Sequence, residues 1–240
     1  MNKSTLSFSR RAFSLMELIV VIAIIGVIAT FTAPQAAQIL KGSTLTQAST
    51  IVTDQIRLAR DFAVTKNSKV EVRFYQYADP EMPGETVGVP TTGQYRAIQV
   101  FQVLNVLKAS NMNSTTATVA GEVTVPLDKV QMLPQGIIFN INATYSTILN
   151  NSNSAVVAGT AEPTKLLLPR GVGSSYNYVT FRFLQDGSTN LAPVATTPWF
   201  FTIHSMTDKG YLQTGLPFNY FCLQIDPVSG TTKYYRPQAG

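Results

Sequence analysis

An uninterrupted apolar run near the start of the chain is the strongest feature of its hydropathy pattern. From Phe13 to Ala33 the run holds a single charged residue, Glu17. At about 1.5 Å per residue, a helix over this stretch would extend about 31 Å. That length matches the hydrocarbon core of a bilayer, which is about 30 Å thick. The pattern therefore predicts a membrane-spanning helix over residues 13–33, with one acid close to its first end.

Basic residues precede the apolar run. They are Lys3, Arg10 and Arg11, and no acidic residue lies among them. Positive charge beside a span is retained in the cytoplasm. We therefore expect a single pass through a membrane, with the N-terminus in the cytoplasm and everything after Pro34 outside it. Because three of the excess positive charges lie in this leader, the remaining charge gives no reason to expect nucleic acid as a partner.

A helical pattern continues beyond the span. One apolar stripe recurs at spacings of three and four, which is typical of a helix that packs through one face. Its members are Leu45, Ala48, Val52, Ile56, Ala59 and Ala63. Asn67 is a suitable stop signal. We predict one long helix from Phe13 to Lys66, in which residues 34–67 form the extracytoplasmic continuation.

The hydrophobic period changes to two after the helix. Val70, Val72 and Phe74 alternate with polar residues, which predicts an amphipathic strand with one polar face. Further strands are predicted at Tyr95–Val106, Glu122–Leu127, Gly136–Ile141, Tyr178–Leu184, Trp199–His204, Tyr220–Ile225 and Thr231–Arg236. Asp186-Gly187 and Ser229-Gly230 are typical hairpin turns. The expected fold class is α+β, a long N-terminal helix packed on an antiparallel sheet domain that covers residues 68–240.

Three segments are predicted to be loops. Tyr77–Gly93 is rich in proline and glycine, and Asn111–Ala117 is polar and turn-like. Asn142–Ala158 consists mainly of Asn, Ser, Thr and Ala, so we expect a mobile surface excursion.

The sequence offers little chemistry for an enzyme. The one histidine, His204, has Ser205 and Asp208 nearby in sequence, but the members of a catalytic triad converge in space rather than along a few residues. One histidine and one cysteine make no zinc site. Asp186, Ser188 and Asn190 are better explained by a turn than by calcium, because no carboxylate follows to complete a site. We expect no catalytic residue, metal or cofactor.

The single cysteine excludes an intrachain disulfide. Cys222 lies in a predicted strand, where a buried core thiol is the main interpretation and an intersubunit bridge the alternative.

The stretch from Ala12 to Gly26 resembles the class III signal of type IV prepilins and type II secretion pseudopilins. The resemblance implies that a prepilin peptidase cuts the Ala12–Phe13 bond and methylates the new amine of Phe13. It also implies that Glu17 pairs with the amine of a neighbouring subunit during assembly. Alanine stands at position 12, where the family usually has glycine. A carboxylate in a membrane segment costs roughly 2.5–3.5 kcal/mol on insertion scales, so it calls for a function.

Other targeting signals share some of these residues. Arg10 and Arg11 also resemble a twin-arginine export signal. A Sec signal peptide or a plain membrane anchor would account for the leader and the apolar run. None of the three gives Glu17 a role.

The rest of the chain resembles minor pseudopilins of the GspH/FimT type. The resemblance lies in the passage Ile56–Val70, in Leu133-Pro134-Gln135-Gly136-Ile137, in Phe181–Gly187 and in Ile225–Gly230. The Tyr235-Arg236-Pro237 end also resembles the narrower Verru_Chthon cassette protein D family. The resemblance implies a structural subunit of a type II secretion pseudopilus or a type IV pilus-like filament, with other pilins as partners.

Two alternative functions stay open. Some FimT-type relatives bind DNA through basic residues near the C-terminus, which here would be Lys233 and Arg236. The other alternative is an anchored extracytoplasmic protein that never assembles.

Overall fold

The chain divides into two units in the computed structural model, residues Met1–Gly42 and Ser43–Gly240. The structure describes residues 14–108, 118–150, 157–160, 166–193, 198–207, 216–217 and 219–237. One α-helix, α1, runs from Leu15 to Thr65 and so confirms the predicted long helix to within two residues at its start and one at its end.

Helix α1 ends in a left-handed residue. Asn67 has a φ of +48°, a conformation that asparagine tolerates better than most residues. The Ser68 N–H donates to the carbonyl of Ala63 (3.1 Å), and the Asn67 N–H donates to that of Val64 (3.4 Å). These two bonds form a Schellman motif, which satisfies carbonyls that the helix end would leave unpaired. The chain then turns directly into the first strand, as the sequence predicted.

Ten strands form one sheet among the described residues. They are β1 (Lys69–Tyr77), β2 (Gln94–Lys108), β3 (Thr118–Pro126), β4 (Gln131–Met132), β5 (Ile137–Phe139), β6 (Val157–Thr160), β7 (Asn177–Phe183), β8 (Trp199–Ser205), β9 (Tyr220–Ile225) and β10 (Thr232–Tyr235). All pairings are antiparallel. The main order is β10-β9-β8-β5-β2-β1-β7-β6, and β3 and β4 also pair with β2. The α+β class and all eight predicted strands are confirmed.

The core lies between the sheet and the second half of α1. All six residues of the predicted stripe, from Leu45 to Ala63, are at most 1% exposed. They pack with the inner faces of the strands, where Phe74, Phe139 and Phe201 meet edge to face at centroid distances of 5.2–5.5 Å. Three of the six stripe residues are alanines, whose small side chains let the helix lie close to the sheet.

Strand β1 is not amphipathic in the expected sense, so that prediction is wrong. It lies between β2 and β7. Its polar face is also covered, since Glu71 is 4% exposed and Tyr75 is fully buried. A second apolar cluster, which includes Phe101, Leu168 and Tyr176, covers part of that face. The alternation in the sequence reflects two buried faces of different chemistry.

The segment after β5 is also unlike the prediction of a mobile excursion. Ser146 and Ile148 are fully buried, and Leu149 is 4% exposed. The Ile148 N–H donates to the carbonyl of Phe200, and the Thr202 N–H donates to the Ser146 hydroxyl. Residues 142–150 therefore pack along β8 and residues 157–160 form β6, whereas residues 151–156 of the predicted excursion lie outside the described residues. The predicted turn at Asn111–Ala117 lies outside the described residues.

Candidate functional site

The first turn of α1 holds the acid of the apolar segment. The helix begins at Leu15, and its first intrahelical bond runs from the Leu18 N–H to the carbonyl of Ser14 (3.2 Å). Glu17 lies in this first turn and is exposed. A helix N-terminus carries a partial positive charge, which favours a carboxylate at this position. Ala12 and Phe13, the expected cleavage and methylation residues, lie outside the described residues.

The surface of α1 beyond Glu17 is apolar. From Leu15 to Ile28, eleven large apolar side chains are 43–76% exposed. An apolar surface of this extent marks a site that contacts protein or membrane. Over the part of the chain that the structure describes, no helix combines the length and the apolar character needed for a membrane crossing.

The two residues expected to contact DNA are not brought together. Lys233 is on β10, and Arg236 follows the end of that strand. Residues three apart in an extended segment point to opposite faces. Arg236 donates to the Thr46 hydroxyl on α1 (2.9 Å). Lys233 shares a face with Gln224 and Tyr235 on the outer side of the sheet.

His204 has a structural environment. It is fully buried on β8, where its Nε2 lies 3.2 Å from the Asn140 side-chain amide. Its Nδ1 lies 2.9 Å from the carbonyl of Ser205. With Nδ1–H as the donor, both ring nitrogens of a neutral imidazole are hydrogen-bonded. The Ser205 hydroxyl bonds to Thr207 rather than to the ring.

Cys222 is half-buried and not a core residue, so that prediction is wrong. Along β9, Phe221, Leu223 and Ile225 face the core, and Cys222 faces the other side. Burial raises the pKa of its thiol, and a hydrogen bond with Thr202 opposes that shift only in part. The thiol is therefore less reactive at neutral pH than the thiol of a solvent-exposed cysteine.

The side-chain oxygens of Asp186, Ser188 and Asn190, which were considered as calcium ligands, take part in hydrogen bonds at a turn. The carboxylate of Asp186 accepts from the N–H and the hydroxyl of Ser188. The side-chain oxygen of Asn190 accepts from the Arg182 N–H. Within the described residues, no cluster of metal-ligating side chains is found.

A charged network crosses the outer face of the sheet, and the sequence did not predict it. Glu71 accepts from Arg73 (2.6 Å) and Arg182 (2.9 Å), and Glu122 pairs with Arg182 and Lys69. Hydrogen bonds from Lys69 and Arg182 lower the pKa of Glu122. The alternating charges of β1 were a signal for the Glu71–Arg73 pair, but the other ion-pair partners of Lys69 and Glu71 lie 53 and 111 residues away in sequence.

The two predicted glycine turns meet beside the end of α1. The first, at Asp186-Gly187, approaches Val64, and Arg60 donates to the carbonyl of Ser229 in the second turn (3.2 Å). Gly187 and Gly230 have φ values of +84° and +63°. The glycine motifs are therefore packing elements that fix the sheet against the helix.

Comparisons with known proteins give two solved structures of low similarity. One is the type IV minor pilin FimU of Pseudomonas aeruginosa, at 13% identity and a TM-score of 0.32, with 81% of this chain and 92% of that chain covered. The other is the minor pseudopilin EpsH of the type 2 secretion system of Vibrio cholerae, at 14% identity and a TM-score of 0.32, with 82% and 95% covered. The fold described above is established by the helix and strands of this chain and not by these two structures.

No curated protein matches the chain by sequence. A family model described as the prokaryotic N-terminal methylation motif matches residues 7–33. This range contains Ala12, Phe13 and Glu17. The chain therefore carries a prokaryotic N-terminal methylation motif, and the predicted prepilin-type signal is confirmed.

Proposed function

We propose that this chain is a pilin-like minor subunit of a type II secretion pseudopilus or a type IV pilus-like filament. The observation that carries the proposal is the methylation motif over residues 7–33, joined to an exposed apolar helix that bears one acid in its first turn. In this proposal, prepilin peptidase removes residues 1–12 at the Ala12–Phe13 bond and methylates Phe13. The chain then acts as a structural component and not as an enzyme.

Glu17 would set the register of assembly. Cleavage creates a cationic amine on Phe13, and an unpaired charge in or near a bilayer is very costly. The carboxylate of Glu17 lies on an exposed helix turn, so the amine of a neighbouring subunit can approach it. Each subunit would thereby neutralise a charge of the next one. The exposed apolar residues from Leu15 to Ile28 would supply the remaining contacts with neighbouring helices.

The proposed organisation of the chain follows from this cut. Residues 13–33 anchor the processed subunit in the inner membrane, with the leader on the cytoplasmic side. Residues 34–67 continue the helix outside the membrane, and residues 68–240 form the extracytoplasmic sheet domain. This domain would contact partner pilins or cargo, while the anchor holds the subunit until it leaves the membrane for the filament.

The same motif would also fit an anchored protein that is processed but never assembles. A DNA-binding minor pilin is less well supported, because Lys233 and Arg236 point to opposite faces. The assembling subunit is the proposal that gives both Glu17 and the exposed apolar helix a role.

Mass spectrometry of the N-terminal peptide tests the proposal. The protein is purified from membranes of cells with and without the prepilin peptidase. We expect a chain that begins at N-methylated Phe13 only when the peptidase is present. An intact leader in both strains, or a cut beyond Ala33, would contradict the proposal. Recovery of the processed chain in a sheared filament fraction then separates an assembled subunit from an anchored one.

A further inference from the structure

A cavity of 360 Å³ lies between helix α1 and the second glycine turn. Its helix wall carries Arg57, Arg60 and Asp61, and its other wall carries Thr231 and Thr232. Residues three and four apart lie on one face of a helix, so the two guanidinium groups and the carboxylate are neighbours. All five residues belong to the second unit of the chain. The cavity therefore brings two positive charges, one negative charge and two hydroxyl groups into a small space.

Each arginine makes one hydrogen bond with the described part of the chain. Arg57 donates to the hydroxyl of Tyr234 (3.0 Å), and Arg60 donates to the carbonyl of Ser229 (3.2 Å). A guanidinium group has five N–H donors, so several donors remain on each side chain. The Nε–H of Arg60 is buried and has no acceptor among the described residues. A buried donor without an acceptor is rare in native proteins and calls for an explanation.

The charges of this cavity are not compensated by ion pairs. Among the described residues, none of the ion pairs includes Arg57, Arg60 or Asp61. Two guanidinium groups outweigh one carboxylate, so the lining favours an anion. Planar guanidinium groups bind carboxylate and phosphate oxygens through pairs of parallel hydrogen bonds. An oxyanion is therefore the class of ligand that fits the two arginines.

Asp61 restricts the class of oxyanion further. Its carboxylate repels an anion that carries no proton, such as sulfate or an ionised carboxylate. A phosphate group that keeps a proton can donate a hydrogen bond to Asp61 while its other oxygens accept from the arginines. Inorganic phosphate keeps a proton at neutral pH, and a phosphate monoester keeps one below its second pKa of about 6. A phosphodiester has no such proton and is disfavoured.

We propose that this cavity binds a protonated phosphate group, with Arg57 and Arg60 as donors to its oxygens and Asp61 as the acceptor from its O–H. The hydroxyl groups of Thr231 and Thr232 complete the polar lining. Inorganic phosphate and phosphate monoesters share the chemistry that the site recognises. None of these residues belongs to the methylation motif, so the inference goes beyond the proposed function and does not depend on it.

Equilibrium dialysis of the full chain in detergent with radiolabelled inorganic phosphate tests the site. The measurement is made at constant ionic strength and about pH 6, where a phosphate monoester is half protonated. We expect saturable binding that unlabelled phosphate displaces, and that sulfate displaces only at a concentration about ten-fold higher or more. Arg60→Lys keeps the charge but loses the planar fork of donors, so it should weaken phosphate binding by about ten-fold. Arg170→Gln is the matched control, because Arg170 is an exposed arginine outside the cavity lining, and it should bind like the parent.

Asp61→Asn distinguishes a phosphate site from a general attraction of anions. The amide is close in size to the carboxylate but is uncharged and can donate, so sulfate should then compete as well as phosphate. Because Asp61 is exposed, this variant should fold like the parent, and it tests the site even if Arg60→Lys is unstable.

Glycerol phosphate as a competitor distinguishes the two sources of the ligand. Displacement at a lower concentration than inorganic phosphate identifies a monoester, and the reverse order identifies the free ion. Four results would overturn the site: no saturable binding, equal competition by sulfate in the parent, unchanged phosphate binding in folded Arg60→Lys, or unchanged selectivity in Asp61→Asn. The N-terminus of the same sample is read by mass spectrometry, and an unprocessed leader contradicts the proposed function but not the phosphate site.

Discussion

The carbonyl oxygen of Gly187 lies directly against the Cα of Gly230. A Cβ built on Gly230 would lie 1.9 Å from that oxygen and 3.2 Å from the ring of Phe183. The two turns come from different parts of the chain: the first turn requires glycine at position 230, whereas a Cβ on Gly187 would lie 3.0 Å from Val64 of α1. Their contact, with Arg60 of α1 bonded to the second turn, joins three separate elements at one point.

We expect Gly230→Ala to destabilise the sheet domain strongly. The substitution adds a backbone clash to the cost of a left-handed alanine, which alone is about 1–2 kcal/mol. Gly88→Ala is the matched control, because Gly88 has a φ of +84° but open space around its Cα. Urea unfolding of the full chain in detergent should show that the free energy of unfolding decreases by about 1 kcal/mol for the control and by at least twice that for Gly230→Ala. Equal losses would mean that the turns can move apart.

Local patterns in the sequence predicted most of the fold. The stripe from Leu45 to Ala63 and the alternation in Val70, Val72 and Phe74 depend only on spacing along one element. The apolar face of each pattern was predicted correctly, because these residues are buried in the core. The Asp186-Gly187 and Ser229-Gly230 turns were predicted because their backbone conformation depends on the residues themselves.

The errors concern contacts between distant segments. Burial of Glu71 depends on Arg182, which is 111 residues away. The conformation of residues 142–150 depends on β8, because the hydroxyls of Ser146 and Thr147 accept from backbone N–H groups of that strand. The buried ion pair of Arg96 with Glu85 had no sequence signal, because a charged residue in a Pro/Gly-rich loop is typical of an exposed position. Of the candidate site, only the N-terminal motif was readable from sequence, since it is local by nature.

Removal of a large side chain from the helix stripe should reduce stability by several kcal/mol. Ile56 is 1% exposed, and a buried Ile→Ala substitution typically costs about 2–5 kcal/mol. Leu58→Ala is the control on the same helix, because Leu58 is 37% exposed and the loss of its side chain should cost about 0.5 kcal/mol. Urea unfolding measures both. A small loss for Ile56→Ala would mean that the helix is not packed on the sheet.

Acid should weaken the outer-face network. The pKa of Glu122 is lowered by hydrogen bonds from Lys69 and Arg182, so the folded state binds its proton less readily than the unfolded state. Its contribution is therefore present above the unfolded pKa, about 4.3, and is lost as pH falls through the lower folded pKa.

Thermal unfolding between pH 7 and pH 3 measures this effect. Glu122→Gln should make the decrease in Tm between pH 7 and pH 3 smaller than in the parent. Because the ion pairs are partly exposed, 0.5 M salt should reduce this difference in Tm between variant and parent. An identical acid limb in both proteins would mean that Glu122 contributes nothing to the pH dependence.

We expect weak and nonspecific binding to DNA. Lys233 and Arg236 point to opposite faces, so the pair cannot contact one stretch of phosphates together. A mobility shift with duplex DNA at 0.15 M salt should give a Kd no tighter than about 10⁻⁴ M. Lys233→Ala/Arg236→Ala should bind like the parent. Micromolar binding that is lost in this double variant would favour a DNA-uptake subunit.

Substitution of Glu17 should separate processing from assembly. Glu17 lies four residues beyond Phe13 in sequence, so Glu17→Ala should leave cleavage and methylation at the Ala12–Phe13 bond intact. Without the carboxylate, the amine of a neighbouring Phe13 has no partner in the filament. A lost charge-assisted pair of about 1.5–3 kcal/mol corresponds to a 10- to 100-fold decrease in the sheared filament fraction.

Glu17→Asp keeps the charge and should retain part of that fraction, because its carboxylate is one methylene further from the neighbour. Thr30→Ala, an exposed substitution on the same helix, is the control and should assemble like the parent. If Glu17→Ala is processed and recovered in filaments at the parental level, the acid has no role in register, and the apolar contacts of α1 suffice for assembly.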